Sequence, residues 1–155
     1  MDSLDMLSED DECLQRASAY CLRDVPPTSD ILHLSIEKQH FLRVYTCQPV
    51  VQIGGFQYFF ESDWPGNPPY DLFTKAYDAI GSAEASRFLS RAVALFPFAD
   101  PHLQLSARVR FLRDHCVGAD SEMGVLSGLM MDGSDGVFAM LARYVREHSI
   151  VFGGV

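Results

Sequence analysis

The sequence predicts an all-α protein in which residues 1–155 form a single compact domain of about seven or eight helices. Three observations lead to this fold class. Apolar residues recur at helical spacing along most of the chain, and helix-capping residues precede these segments. Proline and glycine stand where the helices should end. The composition, 48% hydrophobic and 21% charged, is that of an ordinary globular protein, so a core can form without disulfides.

An acidic N-terminal helix or extension is predicted over residues 1–25. The helical pattern is clear over residues 8–22, and Pro26 and Pro27 then prevent its continuation. If residues 2–22 are helical, an apolar and an acidic stripe lie on different faces. The apolar stripe holds Leu4, Leu7, Leu14 and Cys21, and the acidic stripe holds Asp2, Asp5, Glu9 and Glu12.

The next segment predicts a second helix that Asp30 caps and that ends near Pro49. Residues 50–60 are apolar and aromatic. Because β-branched and aromatic residues also suit a buried strand, this stretch is compatible with either structure. Residues 63–69 are rich in proline and contain Gly66, which predicts a loop.

Two helices are predicted in the centre of the chain. Residues 70–80 form the first, and Gly81 closes it. Ser82 is placed to cap the second, which should stop before Pro97.

Three C-terminal helices complete the prediction. Asp100 and Pro101 should start a helix that runs to about residue 116, because proline is favoured at the first helical position. A short helix over residues 120–131 and a last helix over residues 134–148 follow.

The predicted core lies on the apolar faces of the central and C-terminal helices. Five residues share these faces at helical spacing, namely Phe88, Leu89, Val93, Phe96 and Phe111. The apolar tail, residues 150–152, should either dock on this core or meet a partner.

Charge is distributed unevenly along the chain. Residues 1–12 hold six acids and no Lys or Arg, whereas residues 13–113 hold nine acids and ten bases. Residues 114–142 hold five acids and no Lys or Arg. Two acidic blocks therefore flank a nearly neutral middle, and together they supply the candidate partner-binding residues. These are Asp2, Asp5, Glu9, Asp10, Asp11, Glu12, Asp114, Asp120, Glu122, Asp132 and Asp135.

This charge pattern disfavours several functional classes. A net charge of −9 argues against direct binding of nucleic acid, which needs clustered Lys and Arg, and against docking on an anionic membrane. The acidic start lacks the basic and apolar regions of a signal peptide, which favours the cytoplasm. The four cysteines form no CxxC pair and are expected to be free thiols.

No motif predicts catalysis, a metal or a cofactor. The five histidines form no zinc-site spacing, and no nucleophile elbow is present. Gly54 and Gly55 lack the residues of a phosphate loop, so a close backbone approach is the favoured interpretation. Residues 132–136 lack the ligands of a calcium loop and predict a helix–helix turn capped by Ser134 or Asp135.

An aromatic cluster offers an alternative site. It comprises Phe56, Tyr58, Phe59, Phe60 and Trp64. Such residues belong to the core by default, but they could line a groove with the polar atoms of Tyr58 and Trp64 exposed to a ligand.

From Gly54-Gly55-Phe56 onwards the chain resembles the DNA-mimic protein family, a bacterial family of small, acidic, mostly helical proteins with a domain of unknown function. The landmarks are this tripeptide, the aromatics after it, a helix ending at Gly81, the pair Phe96-Pro97 and Arg108. The resemblance covers about residues 40–148. Ile53 and Ser62 stand where the family usually has asparagine.

The resemblance implies a non-catalytic interaction module that binds a basic, DNA-binding protein through an acidic surface, and it is compatible with a homodimer. Two alternatives stay open. One is an immunity or antitoxin protein that neutralises a basic nuclease toxin. The other is a small hydrolase or ligand-binding domain that uses the aromatic cluster.

Overall fold

A computed structural model describes residues 7–155, which form seven α-helices and one 3₁₀ turn with no strand among them. The predicted all-α fold class is therefore confirmed. The expectations for Asp2, Leu4 and Asp5 lie outside the described residues. The helices are α1 (Glu9–Leu22), α2 (Ile36–Phe60), α3 (Asp71–Ala79), α4 (Ala83–Ala94), α5 (Leu105–His115), α6 (Glu122–Asp132) and α7 (Ser134–Glu147), and the 3₁₀ turn is Pro101–Leu103.

Helix α1 begins where the sequence predicts. Ser8 caps it by accepting a hydrogen bond from the Asp11 backbone N–H at 3.1 Å, and the Asp11 carboxylate accepts one from the Ser8 backbone N–H at 3.2 Å. The buried face holds Cys13, Leu14, Ala17 and Cys21, whereas Leu7 is half exposed. Leu14 and Cys21 of the predicted apolar stripe thus lie in the core.

Helix α2 is longer than the sequence predicts. Ser35, rather than Asp30, caps it, because the Asp30 carboxylate accepts a hydrogen bond from the Leu32 backbone N–H in a separate turn. The helix continues through Pro49 and includes residues 50–60, so the strand alternative is wrong. Proline removes one backbone hydrogen bond, but the fully buried residues on either side, including Val44 and Val51, hold the helix against the core.

The Gly-Gly-Phe tripeptide makes a break within α2. Gly55 has φ +72° and ψ −174°, and a Cβ atom there would lie 2.9 Å from Ser127 Oγ of α6. The break frees the Phe56 backbone N–H, which donates to Ser127 Oγ at 2.9 Å. The predicted close approach is found at Gly55. The close approach predicted for both glycines is limited to Gly55, because Gly54 is exposed.

Replacing Gly55 should measure the importance of this break. We expect Gly55→Ala to destabilise the protein by about 1–3 kcal/mol, because alanine is strained at positive φ and its Cβ would press on Ser127. Gly128→Ala is the matched control: it lies in α6, where an added Cβ would meet open space, and should stabilise by up to about 1 kcal/mol. Urea denaturation measures both, and an equal effect of the two changes would contradict the packing described.

The α3–α4 junction follows the prediction closely. Gly81, at φ +95°, ends α3, with the Gly81 N–H donating to Asp78 O and the Ser82 N–H to Tyr77 O. Ser82 occupies the N-cap position of α4 but its side chain makes no capping hydrogen bond. Pro97 follows shortly after the end of α4.

The helix predicted from Pro101 is interrupted. Asp100 has φ +49°, and the Gln104 N–H donates to Pro101 O, which closes a 3₁₀ turn before α5 begins at Leu105. Leu103, in this turn, is 62% exposed and lies outside the core. The break places the Pro101 carbonyl where Arg108 can bind it at 2.7 Å.

At the α6–α7 turn the predicted caps are wrong. Gly133 is the N-cap residue of α7, and neither Ser134 nor Asp135 caps it with a side-chain hydrogen bond. The Ser134 hydroxyl is instead buried and accepts a hydrogen bond from Gln48 at 2.8 Å. Interhelical bonding thus replaces the local cap.

All five predicted core residues contact or form part of the core, but they are not equally buried. Leu89 and Phe96 are buried, whereas the other three predicted core residues are half-buried and pack against the core from its rim, namely Phe88, Val93 and Phe111. Phe152 of the tail is fully buried and packs edge-on against Phe41. The tail therefore docks, although Ile150 is exposed. All four cysteines are free and buried.

Among the described residues, no single helix is long and apolar enough to span a membrane. Within residues 7–155, α6 and α7 taken together have the length and apolar composition of a membrane span, but the two helices are bent by 55° at their junction.

Candidate functional site

The described carboxylates of the first acidic block, residues 9–12, form the first turn of α1. Its carboxylates are only partly engaged within the protein: Asp10 pairs with Arg146 of α7 at 2.7 Å, and Glu12 lies 3.4 Å from Arg16. Asp11 is held by the capping box with Ser8. Negative side chains at a helix N-terminus are stabilised by the helix dipole, so this turn tolerates the charge concentration.

Part of the second acidic block lies at the α6–α7 turn. Asp11 and Phe138 line one shallow cleft, and Asp135 lies three residues before Phe138 at the start of α7. Asp132 in turn lines a groove with Glu84, in the first turn of α4. Both openings border the first half of α7, since Phe138 lines one and Val137 lines the other. We call the exposed carboxylates of α1, α4, α6 and α7 around these openings the acidic end, which consists of Glu9, Asp11, Glu12, Glu84, Asp132 and Asp135.

The remaining acidic candidates lie elsewhere. Asp120 and Glu122 are at the start of α6, about 15 Å along the helix from Asp132. Asp114 is 2.9 Å from Arg113, and the hydrogen bond from this guanidinium lowers the pKa of the Asp114 carboxyl. The second block of the sequence is therefore divided in space, and the Asp114 charge is compensated locally.

Arg108 is the largest fully buried side chain among the described residues. Its guanidinium donates to the backbone carbonyls of Phe60, Pro101 and Ser62 at 2.9, 2.7 and 3.2 Å. It also pairs with the Asp63 carboxylate at 2.8 Å. This one side chain joins the end of α2, the loop after it and the 3₁₀ turn, so its role is structural.

Gln48 forms a second buried polar network. Its amide nitrogen donates to Ser134 Oγ and to the Met130 carbonyl at 2.8 and 3.2 Å, and its oxygen accepts from the Tyr77 hydroxyl at 2.9 Å. Burial raises the pKa of Tyr77 well above its usual value, and it raises the pKa of Cys47 to about 12. The neutral phenol and thiol are thus favoured, which fits a structural role.

A cleft of about 550 Å³ lies where the segment after α1 meets α2 and the loop after α2. Arg43 and Trp64 both line it, and we call it the Arg43–Trp64 cleft. The Arg43 side chain is only 5% exposed, yet it makes no hydrogen bond or ion pair with any of residues 7–155. Burial lowers the pKa of Arg43, and the negative charge of Asp30 opposes that effect.

Trp64 has the second unused polar group of this cleft. Its indole Nε1 is buried and has no hydrogen-bond partner within residues 7–155. The rest of the aromatic cluster divides clearly: Phe56, Phe59 and Phe60 are fully buried core residues, and Tyr58 is 55% exposed away from the cleft.

Sequence reasoning placed Trp64 in a possible groove, and Trp64 lines this cleft, but it found neither Arg43 nor the other walls. Its one available signal was Trp64 in a proline-rich loop, since tryptophan combines an apolar body with a polar N–H. Arg43 gave no signal, because an arginine within a helical pattern is usually exposed. No group of three or more His, Cys, Asp or Glu side chains among residues 7–155 is arranged to hold a metal ion.

Comparison with known proteins gives one match. A family model described as DMP19-like protein matches residues 33–148, which is more than half of the chain. No curated protein and no solved structure matches the sequence.

Proposed function

This chain belongs to the DMP19-like protein family, and we propose that it is a non-catalytic, DNA-mimic-like interaction module whose acidic end binds the basic surface of a DNA-binding protein. The observation that carries the proposal is that exposed carboxylates of separate helices, Asp11, Glu84 and Asp132, line two openings along the first half of α7. The resemblance to the DNA-mimic protein family supports the same class of partner.

The acidic end is better suited to imitate a DNA duplex than the acidic stripe that the sequence predicts on the N-terminal helix. A single helical stripe is sparser than one DNA strand, which carries a phosphate every ~3.4 Å. The carboxylates of the acidic end come from four helices, so they are not confined to one line as the carboxylates of a single helical stripe are. Because most of them are exposed, they attract Lys and Arg clusters and steer association over a distance that salt shortens.

Two variants with equal changes in net charge test this proposal. The acidic-end variant combines Glu9→Gln, Glu12→Gln, Asp132→Asn and Asp135→Asn. The control variant removes four exposed carboxylates elsewhere and combines Asp24→Asn, Glu61→Gln, Asp120→Asn and Glu122→Gln. Asp11 is left unchanged because it takes part in the α1 capping box.

We expect the acidic-end variant to associate with the partner about tenfold more slowly at low salt, with little change in dissociation. The control should slow association clearly less. Affinity capture from the native host at low and at 1 M salt supplies the partner, and stopped-flow kinetics measures the rates. Association by both variants at the wild-type rate, without salt dependence, would mean that the acidic end is only solvated surface.

A further inference from the structure

Two residues that line the Arg43–Trp64 cleft carry hydrogen-bond donors for which residues 7–155 supply no acceptor. The indole N–H of Trp64 is buried without a partner, which is costly, and the Arg43 guanidinium lines the cleft without an ion pair to any of residues 7–155. Buried polar groups in folded proteins almost always have partners, so these two donors favour an acceptor that enters the cleft from outside. Neither donor belongs to the acidic end or to the networks of Arg108 and Gln48.

We propose that the Arg43–Trp64 cleft binds a small organic acid, with its carboxylate on Arg43 and Trp64 and its apolar body along the walls. Arginine recognises carboxylates through its planar set of donors, and the indole N–H can donate to the same oxygen or to its neighbour. The bound carboxylate would thereby accept hydrogen bonds from both donors at once.

The walls specify the body of this ligand. They are formed largely by aliphatic, proline and aromatic side chains, among them Leu42, Val25, Ile31, Pro26, Pro68 and Phe73. Phe73 also lies 5.8 Å from the Arg43 guanidinium, which helps to hold the cation at the base. A volume of about 550 Å³ suits a small molecule.

The charges of the cleft favour a carboxylate over a phosphate. Arg43 is the sole Lys or Arg side chain among the described residues that line the cleft. Asp30 lines it as well, but its carboxylate is exposed and accepts a hydrogen bond from the Leu32 N–H. The exposed Asp30 carboxylate already offsets part of the single positive charge of Arg43, so a singly charged carboxylate is left far less undercompensated than a doubly charged phosphate.

Calorimetric titration with octanoate and cyclohexylacetate tests the proposal, with 1-octanol as the uncharged analogue of octanoate. We expect at least one acid to bind with one-to-one stoichiometry, and octanol to bind about tenfold or more weakly than octanoate if octanoate is that acid. Trp64 is the only tryptophan of the chain, so its fluorescence emission should shift as the acid binds. Binding of neither acid, or binding that leaves the Trp64 emission unchanged, would overturn the proposal.

Matched substitutions locate the interaction. Arg43→Gln should weaken acid binding about tenfold or more, whereas Arg91→Gln, on the exposed surface of α4, should leave it unchanged. Trp64→Phe should weaken it about threefold or more, measured by calorimetry. Thr46 is an exposed residue of α2 that lines the cleft, so Thr46→Phe should fill the cleft and weaken acid binding as well. This second variant tests the proposal if Arg43→Gln does not fold. Wild-type affinity in the folded Arg43→Gln and Thr46→Phe variants would overturn the assignment.

Discussion

Arg108→Met is expected to destabilise the protein by about 3–5 kcal/mol. The substitution keeps most of the volume and removes the guanidinium. Three backbone carbonyls and the Asp63 carboxylate then lose their donor, and the Phe60 carbonyl is left inside the core without a partner. The loss is large because buried acceptors pay the full desolvation cost when their partner is removed.

Urea denaturation followed by far-UV circular dichroism measures this loss. Arg110→Met is the control, because Arg110 lies on the same helix with an exposed side chain and should change stability by at most about 0.5 kcal/mol. Arg108→Lys should remain strongly destabilised, since one ammonium cannot reach all four acceptors. A loss below about 1 kcal/mol for Arg108→Met would contradict the described network.

Phe96→Ala should destabilise the protein by about 3–5 kcal/mol as well. Phe96 is 7% exposed, and its ring packs against Phe60, Phe98 and Phe111 at centroid distances of 4.9, 5.5 and 5.5 Å. Truncation removes this apolar burial and leaves a cavity beside the end of α2.

The control for this change is Phe98→Ala, the same truncation at a half-buried position two residues further along the chain. Chemical denaturation should give a clearly smaller loss for Phe98→Ala, because more of that ring already contacts solvent. Equal losses, or a loss under about 1 kcal/mol for Phe96→Ala, would place the Phe96 ring outside the core.

The helices that sequence reasoning located well are those whose ends are set by neighbouring residues. Ser8, Gly81 and the proline-rich loop act through bonds and dihedral angles within a few residues, so their effect can be recognised in the sequence. Gly55 is a similar case. Glycine is the residue type that adopts a positive φ most easily, so the sequence marks the position, although the residue packed against it, Ser127, is distant in the chain.

Where the prediction was wrong, a distant contact replaced the local rule. Asp30 and Ser134 are good capping residues, but Asp30 serves a separate turn and Ser134 serves Gln48. Pro49 stays inside α2 because the core holds both flanking segments. Local propensity is a weak predictor when tertiary packing opposes it.

The candidate sites divide in the same way. The acidic blocks could be counted from the sequence, but which of their carboxylates line the openings along α7 depends on how the helices pack. The Arg43–Trp64 cleft joins residues from four separate segments, and although the sequence pointed to Trp64, nothing in it pointed to Arg43. Such a site requires the fold before it can be recognised.

Competition with DNA tests the central functional claim most directly. The partner captured from the native host is first bound to a fluorescein-labelled duplex, and the protein is then titrated while anisotropy is recorded. A DNA-mimic-like module should displace the duplex, and the acidic-end variant should need about tenfold more protein for the same displacement. If the partner holds the duplex and this protein together in one complex, the acidic end does not occupy the DNA-binding surface and the proposed function is wrong.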